Sequence, residues 1–305
     1  MPQEAYSYHK PVMLRECMQG LNIKEDGIYI DLTFGGGGHA KAILEELTTG
    51  HLYAFDQDED AKSNAEKINK SSFTFIEANF RYLKRYLKMY GIKEVDGILA
   101  DLGISSHQID EAARGFSTRF DADLDMRMDR SGEFTAKALV NTYLAEQLQD
   151  VLGRYGEVRN AKTLAQAITA ARINREIETV EDLKQILTRY APKGKENRYY
   201  AQVFQALRIE VNDEMTALEE MLGQAVELLK PGGRLVIMSY HSLEDRPVKN
   251  FIAKGKAKGE VEKDFYGNIT KPLVAVNRKP IIASAEEIKE NNRARSAKLR
   301  VAEKK

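Results

Sequence analysis

The nine residues Asp31-Leu-Thr-Phe-Gly35-Gly36-Gly37-Gly38-His39 join the end of an apolar run to four glycines and then to a helical period. The run before them, residues 27–32, is β-branched and aromatic at its centre, which predicts a strand. After them Ala40, Ile43, Leu44 and Leu47 share one helical face. Strand, glycine turn and helix in that order open a mononucleotide-binding fold. Glycine accepts φ > 0 and has no Cβ, so a nucleoside-bearing cofactor can lie against such a turn. The next apolar run, Leu52-Tyr53-Ala54-Phe55, ends at Asp56-Gln57-Asp58. A carboxylate there suits a ribose diol, because two acceptor oxygens can take both hydroxyl protons. The plainer alternative is a structural turn in which Asp56 and Asp58 cap the following helix.

The alternation continues through a helix over 59–69, a strand over Phe73–Ile76 leading to Asn79 and Phe80, and a basic helix over Arg81–Tyr90. A strand over Val95–Ala100 then ends at Asp101. Four strands with crossover helices predict a parallel sheet with ligand loops at its carboxyl ends. For about a hundred residues after that the pattern is helical, with helices expected over 136–153, 160–175 and 180–190. A long helix over 212–230 closes at Pro231-Gly232-Gly233, and Arg234–Ser239 is a fifth strand. Short edge strands are expected at 269–270, 274–276 and 280–282, with a last strand at 297–302. The organisation is therefore α/β: a sheet domain over 1–106 and 207–305, interrupted by an all-helical insert over 107–206.

Lys+Arg and Asp+Glu are equal at 46 each, so local rather than net charge must indicate partners. Residues 246–258 hold five basic and no acidic side chains, and 289–305 hold seven basic against two acidic. Lys193, Lys195 and Arg198 beside Tyr199 and Tyr200 add a basic and aromatic patch. Together these suggest a phosphate backbone laid over the crevice mouth. The single cysteine, Cys17, excludes an internal disulfide and a cysteine metal cluster. No apolar run is long enough for a membrane span, and the first residues lack signal-peptide order, so a cytoplasmic protein is expected.

Chemistry concentrates in three further segments. Asp101-Leu-Gly-Ile-Ser105-Ser106-His107-Gln108 brings a carboxylate, two hydroxyls and an amide to the fourth strand end, enough to hold a base edge or a polar cofactor head. Alternatively Asp101 caps the helix that Ser105 starts. Gly115-Phe116-Ser117 with Asp121–Asp129 suggests a lid, its methionines and Phe116 covering an apolar ring while Arg127 pairs with a carboxylate. The carboxylate spacing does not match a Ca²⁺ loop, and no metal is expected. Tyr240-His241-Ser242-Leu243-Glu244-Asp245-Arg246 follows the fifth strand without the Gly-x-Ser-x-Gly of a hydrolase. His241 can line the crevice, or Ser242 can simply cap a helix.

These segments, with His9-Lys-Pro-Val, Leu124-Asp-Met-Arg-Met-Asp129, Phe204–Asn212 and Arg293–Arg300, closely resemble the bacterial 16S ribosomal RNA cytidine-N4 methyltransferase family over essentially the whole chain. The resemblance implies a Rossmann-like class I methyltransferase sheet, S-adenosylmethionine as cofactor, and methylation of N4 of cytidine 1402 within the 30S subunit. Carried over by motif, Gly37, Gly38, His39, Asp56, Phe80, Asp101 and Gln108 are its cofactor residues, and the insert is its RNA contact. Asp101, Ser105, Ser106 and His241 are the candidate catalytic contacts to N4. Gly36 stands where some members have arginine, and Asn291-Asn292 where many have Asn-Pro. A homodimer is left open. The competing enzyme class is a nicotinamide dehydrogenase, since Gly35-x-Gly37-x-x-Ala40 fits the dinucleotide pattern formally. A non-catalytic RNA-binding assembly factor on the same fold is the other alternative.

Overall fold

A computed structural model of the chain describes residues 11–257, 259 and 271–305. The motif residues His9 and Lys10, the strand expected at 269–270 and the basic residue Lys258 lie outside the described residues. The chain divides into two compact units, one formed by Met1–Gly103 and Met215–Lys305, the other by Ile104–Glu214.

The first unit opens with a helix absent from the sequence reading, α1 (Leu14–Leu21), whose buried face carries Cys17. There follow β1 (Ile28–Asp31), α2 (Gly38–Glu46), β2 (His51–Asp56), α3 (Glu59–Ala65), β3 (Phe73–Glu77), α4 (Leu83–Met89) and β4 (Val95–Asp101). The strand order is β3-β2-β1-β4-β5-β7-β6, with β5 (Leu229–Ser239), β6 (Leu273–Ala275) and β7 (Lys298–Lys304). Strands β1 to β5 are parallel, and β7 pairs antiparallel with β5 and with β6. The order reverses between β1 and β4, so their carboxyl ends flank the crevice where such sheets take ligands. Buried Tyr29, Leu52, Leu99, Val236 and Leu299 share a core with the inward residues of α1 and α2. Ile281 makes only an isolated bridge to Leu299, so no strand forms at 280–282.

The second unit holds α5 (Ser106–Asp110), α6 (Ala136–Thr142), α7 (Ala145–Gly156), α8 (Ala161–Asn174), α9 (Val180–Thr188) and α10 (Glu196–Val211). It begins at Ile104 rather than 107 and ends at Glu214 rather than 206, because α10 is one unbroken helix whose buried face belongs to this unit's core. The helix expected over 136–153 is two: the backbone turns extended at Tyr143, and the Gln147 side chain accepts from Leu144 N at 2.8 Å to start α7 afresh. Helix α11 (Glu214–Leu228) then returns the chain to β5. The first unit also holds α12 (Ser242–Lys254) and α13 (Ala285–Glu290).

The expected lid is not one. Phe116, Leu124, Met126 and Met128 are all buried in the helical core. Arg127 does pair with Asp125, at 2.7 and 2.8 Å. Arg114 donates to the carbonyls of Arg127 and Met128, while Asn212 donates to Met126 O and accepts from Met128 N. The segment is thus pinned by its backbone, which an apolar-and-acidic pattern alone does not reveal. Tyr199 and Tyr200 are also buried, with hydroxyls on Asn160 and Thr188, so the aromatic half of the expected surface patch is core.

Candidate active site

Four strand ends supply the candidate site in the first unit: Asp31 on β1, Asp56 on β2, Asp101 on β4, and Tyr240 with His241 just after β5. Asp31 is buried. Its Oδ1 accepts from Thr33 N at 3.1 Å, and its Oδ2 has no hydrogen-bond partner among the described residues. Thr33 Oγ1 in turn accepts from Asp101 N at 2.7 Å, which ties the ends of β1 and β4 together. Thr33 escaped the sequence reading because its role is a backbone contact 68 residues away.

The glycine turn is held from two sides. Gly35 N donates to Asp56 Oδ2 at 2.7 Å, and Asn64 Nδ2 donates to Gly35 O at 3.3 Å. Gly37 has φ of 76°, and a Cβ there would stand 2.8 Å from the Phe34 ring. At Gly38 a Cβ would stand 2.2 Å from Pro11. Glycine is therefore demanded at both positions by the chain's own packing, before any ligand is considered. His39 is buried, with Nε2 3.1 Å from Val12 O, and burial lowers its pKa to about 4. A neutral ring facing a carbonyl must carry its proton on Nε2. His39 thus fastens the turn to the preceding segment through Nε2.

Asp56 also accepts from Asp58 N at 2.9 Å, and Asp58 caps α3 through Asp60 N. The capping alternative holds for Asp58. Asp56 keeps acceptor capacity, since each carboxylate oxygen has two lone pairs. Phe80 is half-buried in the turn that Asn79 caps after β3, and Asn79 reaches Gln57 beyond β2 at 2.7 Å.

At β4, Asp101 does not cap α5. Its Oδ1 accepts from the Tyr240 hydroxyl at 2.8 Å. Ser105 is the cap: its Oγ accepts from Gln108 N at 3.1 Å and Gln108 Oε1 accepts from Ser105 N at 3.0 Å. Ser105, Ser106 and Gln108 belong to the second unit, whose first helix they open. His241 precedes α12, with Nε2 3.1 Å from the buried Glu244, whose other oxygen accepts from Tyr240 N at 2.8 Å. Tyr240, unassigned from sequence, is the partner that fixes Asp101. The only hint was its place before His241.

Burial pushes the carboxyl of Asp31 up to about 7, that of Asp56 to about 6 and that of Asp101 to about 7; Asp56 raises Asp31 further, and Asp31 and Glu244 raise Asp101. Hydrogen bonds from Thr33, from the 35 and 58 amides and from Tyr240 act in the opposite sense. Among the described residues no lysine or arginine pairs with any of the three. A cluster of carboxylates without a cation, one buried and two partly buried, is suited to a ligand that brings positive charge. Burial and the neighbouring Asp101 hold the Tyr240 phenol far above its ordinary range, so it remains a donor.

The model of the MraW methylase family matches residues 6–305. Among curated relatives, "Ribosomal RNA small subunit methyltransferase H" of Cytophaga hutchinsonii is 58% identical over 297 residues, covering 97% of this chain and 99% of that protein. The proteins of the same name in Christiangramia forsetii and Parabacteroides distasonis are 57% and 52% identical, over 97% and 100% of this chain and 98% and 100% of their own lengths.

Proposed function

This chain belongs to the MraW methylase family, and on that premise we propose that it transfers a methyl group from S-adenosylmethionine to N4 of cytidine 1402 in the 16S rRNA of the small ribosomal subunit. The observation that carries the reading is the set of carboxylates at the ends of β1, β2 and β4 around a glycine turn, Asp31 buried and Asp56 and Asp101 partly buried, with no cationic partner among the described residues, in a family of methylases.

The residues fit the cofactor. Asp31 Oδ2 is a buried acceptor without a donor among the described residues, and the cluster around it is negative, whereas S-adenosylmethionine carries a sulfonium and an ammonium. Gly37, Gly38, the His39 backbone and Asp56 would hold the nucleoside part, Phe80 the adenine face, and Asp101 and Gln108 further polar edges. When bound, the cofactor supplies an electrophilic methyl. Tyr240 occupies Asp101 Oδ1, which leaves Oδ2 to accept the N4–H and to take up the proton lost as the new N–C bond forms. A carboxyl near pH 7 can both take that proton and release it. Ser105, Ser106 and His241 are the further N4 contacts of the proposal, and no role is assigned to a metal. Such positioning matters because the N4 lone pair is delocalised into the ring and is a poor nucleophile until oriented.

The helical unit and the basic segments near the chain's end are assigned to rRNA contact within the 30S particle. No described helix is long and apolar enough to cross a membrane. The test is transfer of labelled methyl to undermethylated 30S subunits followed by nucleoside mapping. N4-methylcytidine at position 1402 is expected. Label at another base overturns the reading, and so does wild-type single-turnover methylation by both Asp101→Asn and His241→Ala for the catalytic assignment.

A further inference from the structure

Helix α4 carries more charge and more aromatic surface than its packing needs. Only Leu83 and Leu87 turn fully inward. Residues 80–93, Phe-Arg-Tyr-Leu-Lys-Arg-Tyr-Leu-Lys-Met-Tyr-Gly-Ile-Lys, hold five basic side chains and no acidic one. Two of the five are used within the unit: Arg81 pairs with Glu220 at 2.7 Å and Lys84 with Glu227, both on α11. Arg85, Lys88 and Lys93 are exposed, and among the described residues none has a carboxylate partner. Beside them Tyr82 is 48% exposed, Tyr90 47% and Met89 72%.

Ring contacts hold part of the aromatic side, and the Arg81 guanidinium lies 6.0 Å from the Tyr82 ring centroid. Tyr90 packs on Tyr53 at 5.5 Å between centroids, and Tyr53 on His51 at 4.5 Å; Tyr86 meets Phe55 edge-on at 6.2 Å. On the helix, Arg85 and Lys88 form one stripe and Tyr82, Tyr86 and Met89 the adjoining one, following the helical period of 3.6 residues. Unpaired cations next to preformed aromatic faces match the two chemistries of an unpaired RNA strand, phosphate and stacking base. An apolar protein partner would leave the three cations uncompensated, so charge favours RNA.

We propose that the α4 face, from Tyr82 to Lys93, is a second rRNA-binding surface, which stacks unpaired bases on Tyr82 and Tyr90 and takes their phosphates on Arg85, Lys88 and Lys93. It rests on the reading that the substrate is ribosomal RNA in the particle. It holds and orients the particle and takes no part in methyl transfer.

The test measures binding of the full-length protein to undermethylated 30S subunits over a salt series. Arg85→Glu with Lys88→Glu should weaken binding about tenfold or more and reduce the slope of log K against log salt by about 2. Tyr82→Ala with Tyr90→Ala should weaken binding about tenfold at an unchanged slope, and the Phe pair should restore it. S-adenosylmethionine affinity should stay at the wild-type value in all of them, which verifies an intact sheet. Wild-type binding and slope in the charge-reversed pair overturn the proposal. Losses seen with 30S particles but absent with deproteinised 16S rRNA also overturn it, since the partner is then a ribosomal protein. Binding judges the surface whether or not label reaches cytidine 1402, whereas the label judges the functional reading.

Discussion

Asp31, Asp56 and Asp101 are held in their folded environment against their own ionisation, and that has a definite sign. A carboxyl whose folded pKa lies near 7 binds more protons folded than unfolded between about pH 4 and 7, so its ionisation destabilises the fold as pH rises through that window. His39 acts oppositely: with its pKa lowered to about 4, its contribution is complete above about pH 6.5 and fades as pH falls toward 4. Between pH 8 and 6.5 the carboxyls therefore dominate, and the cofactor-free protein should gain ~1–2 kcal/mol on going from the first to the second. Asp31→Asn should raise the melting midpoint at pH 8 by a few degrees (roughly 2–4 °C per kcal/mol) while S-adenosylmethionine affinity collapses, as calorimetric melting and titration would show. A lower midpoint would show that Asp31 supports the fold rather than the ligand. Tyr240→Phe removes the hydrogen bond that favours ionised Asp101, so the acid limb of the kcat/KM profile should move to higher pH and the rate at pH 7 should fall about tenfold. An unmoved limb would detach Asp101 from the proton.

At the level of elements, two separate sequence stretches form one structural joint. The Met126–Met128 segment and the end of α10 meet through Asn212, which bonds Met128 N, Met126 O and Arg208 O at 2.7 to 2.8 Å. Asn212→Ala removes all three side-chain bonds, and should destabilise the helical unit by ~2–3 kcal/mol in urea unfolding. Gly115 shares the same joint: its φ is 69°, and a Cβ would lie 2.4 Å from Asp123 O. In the sheet unit, Arg300 on β7 forms a bidentate pair with Asp245 on α12, at 2.6 and 3.1 Å. The Arg300 side chain thus fixes a helix, although the basic run in which it lies suggested phosphate contact. Arg300→Ala should lower stability more than particle affinity, and the reverse order would return Arg300 to the RNA face.

For the whole molecule, the exposed cations are the ones to vary. Arg295 and Lys289 are exposed, whereas Lys298 lies 3.9 Å from Asp245. Charge reversal of Lys289 and Arg295 should weaken 30S binding and its salt dependence with cofactor affinity unchanged, and an unaltered salt slope would remove this tail from the RNA surface. The alternating strands and helices, the glycine turn, the strand-end aspartates and the helical character of the insert were legible in the chain, because periodicity and glycine are local properties and a strand end followed by a turn has one chemistry wherever it occurs. Helices α1 and α10 were not, since their apolar faces are set by what packs on them, and neither was the burial of Tyr199, Tyr200, Met126 and Met128. The sequence alone determined which carboxylates lie at strand ends. Only the tertiary structure decided that Thr33 and Tyr240 hold Asp101, that His39 is tied to Val12, and that among the described residues no cation pairs with the three aspartates, because each depends on groups brought together across dozens of residues.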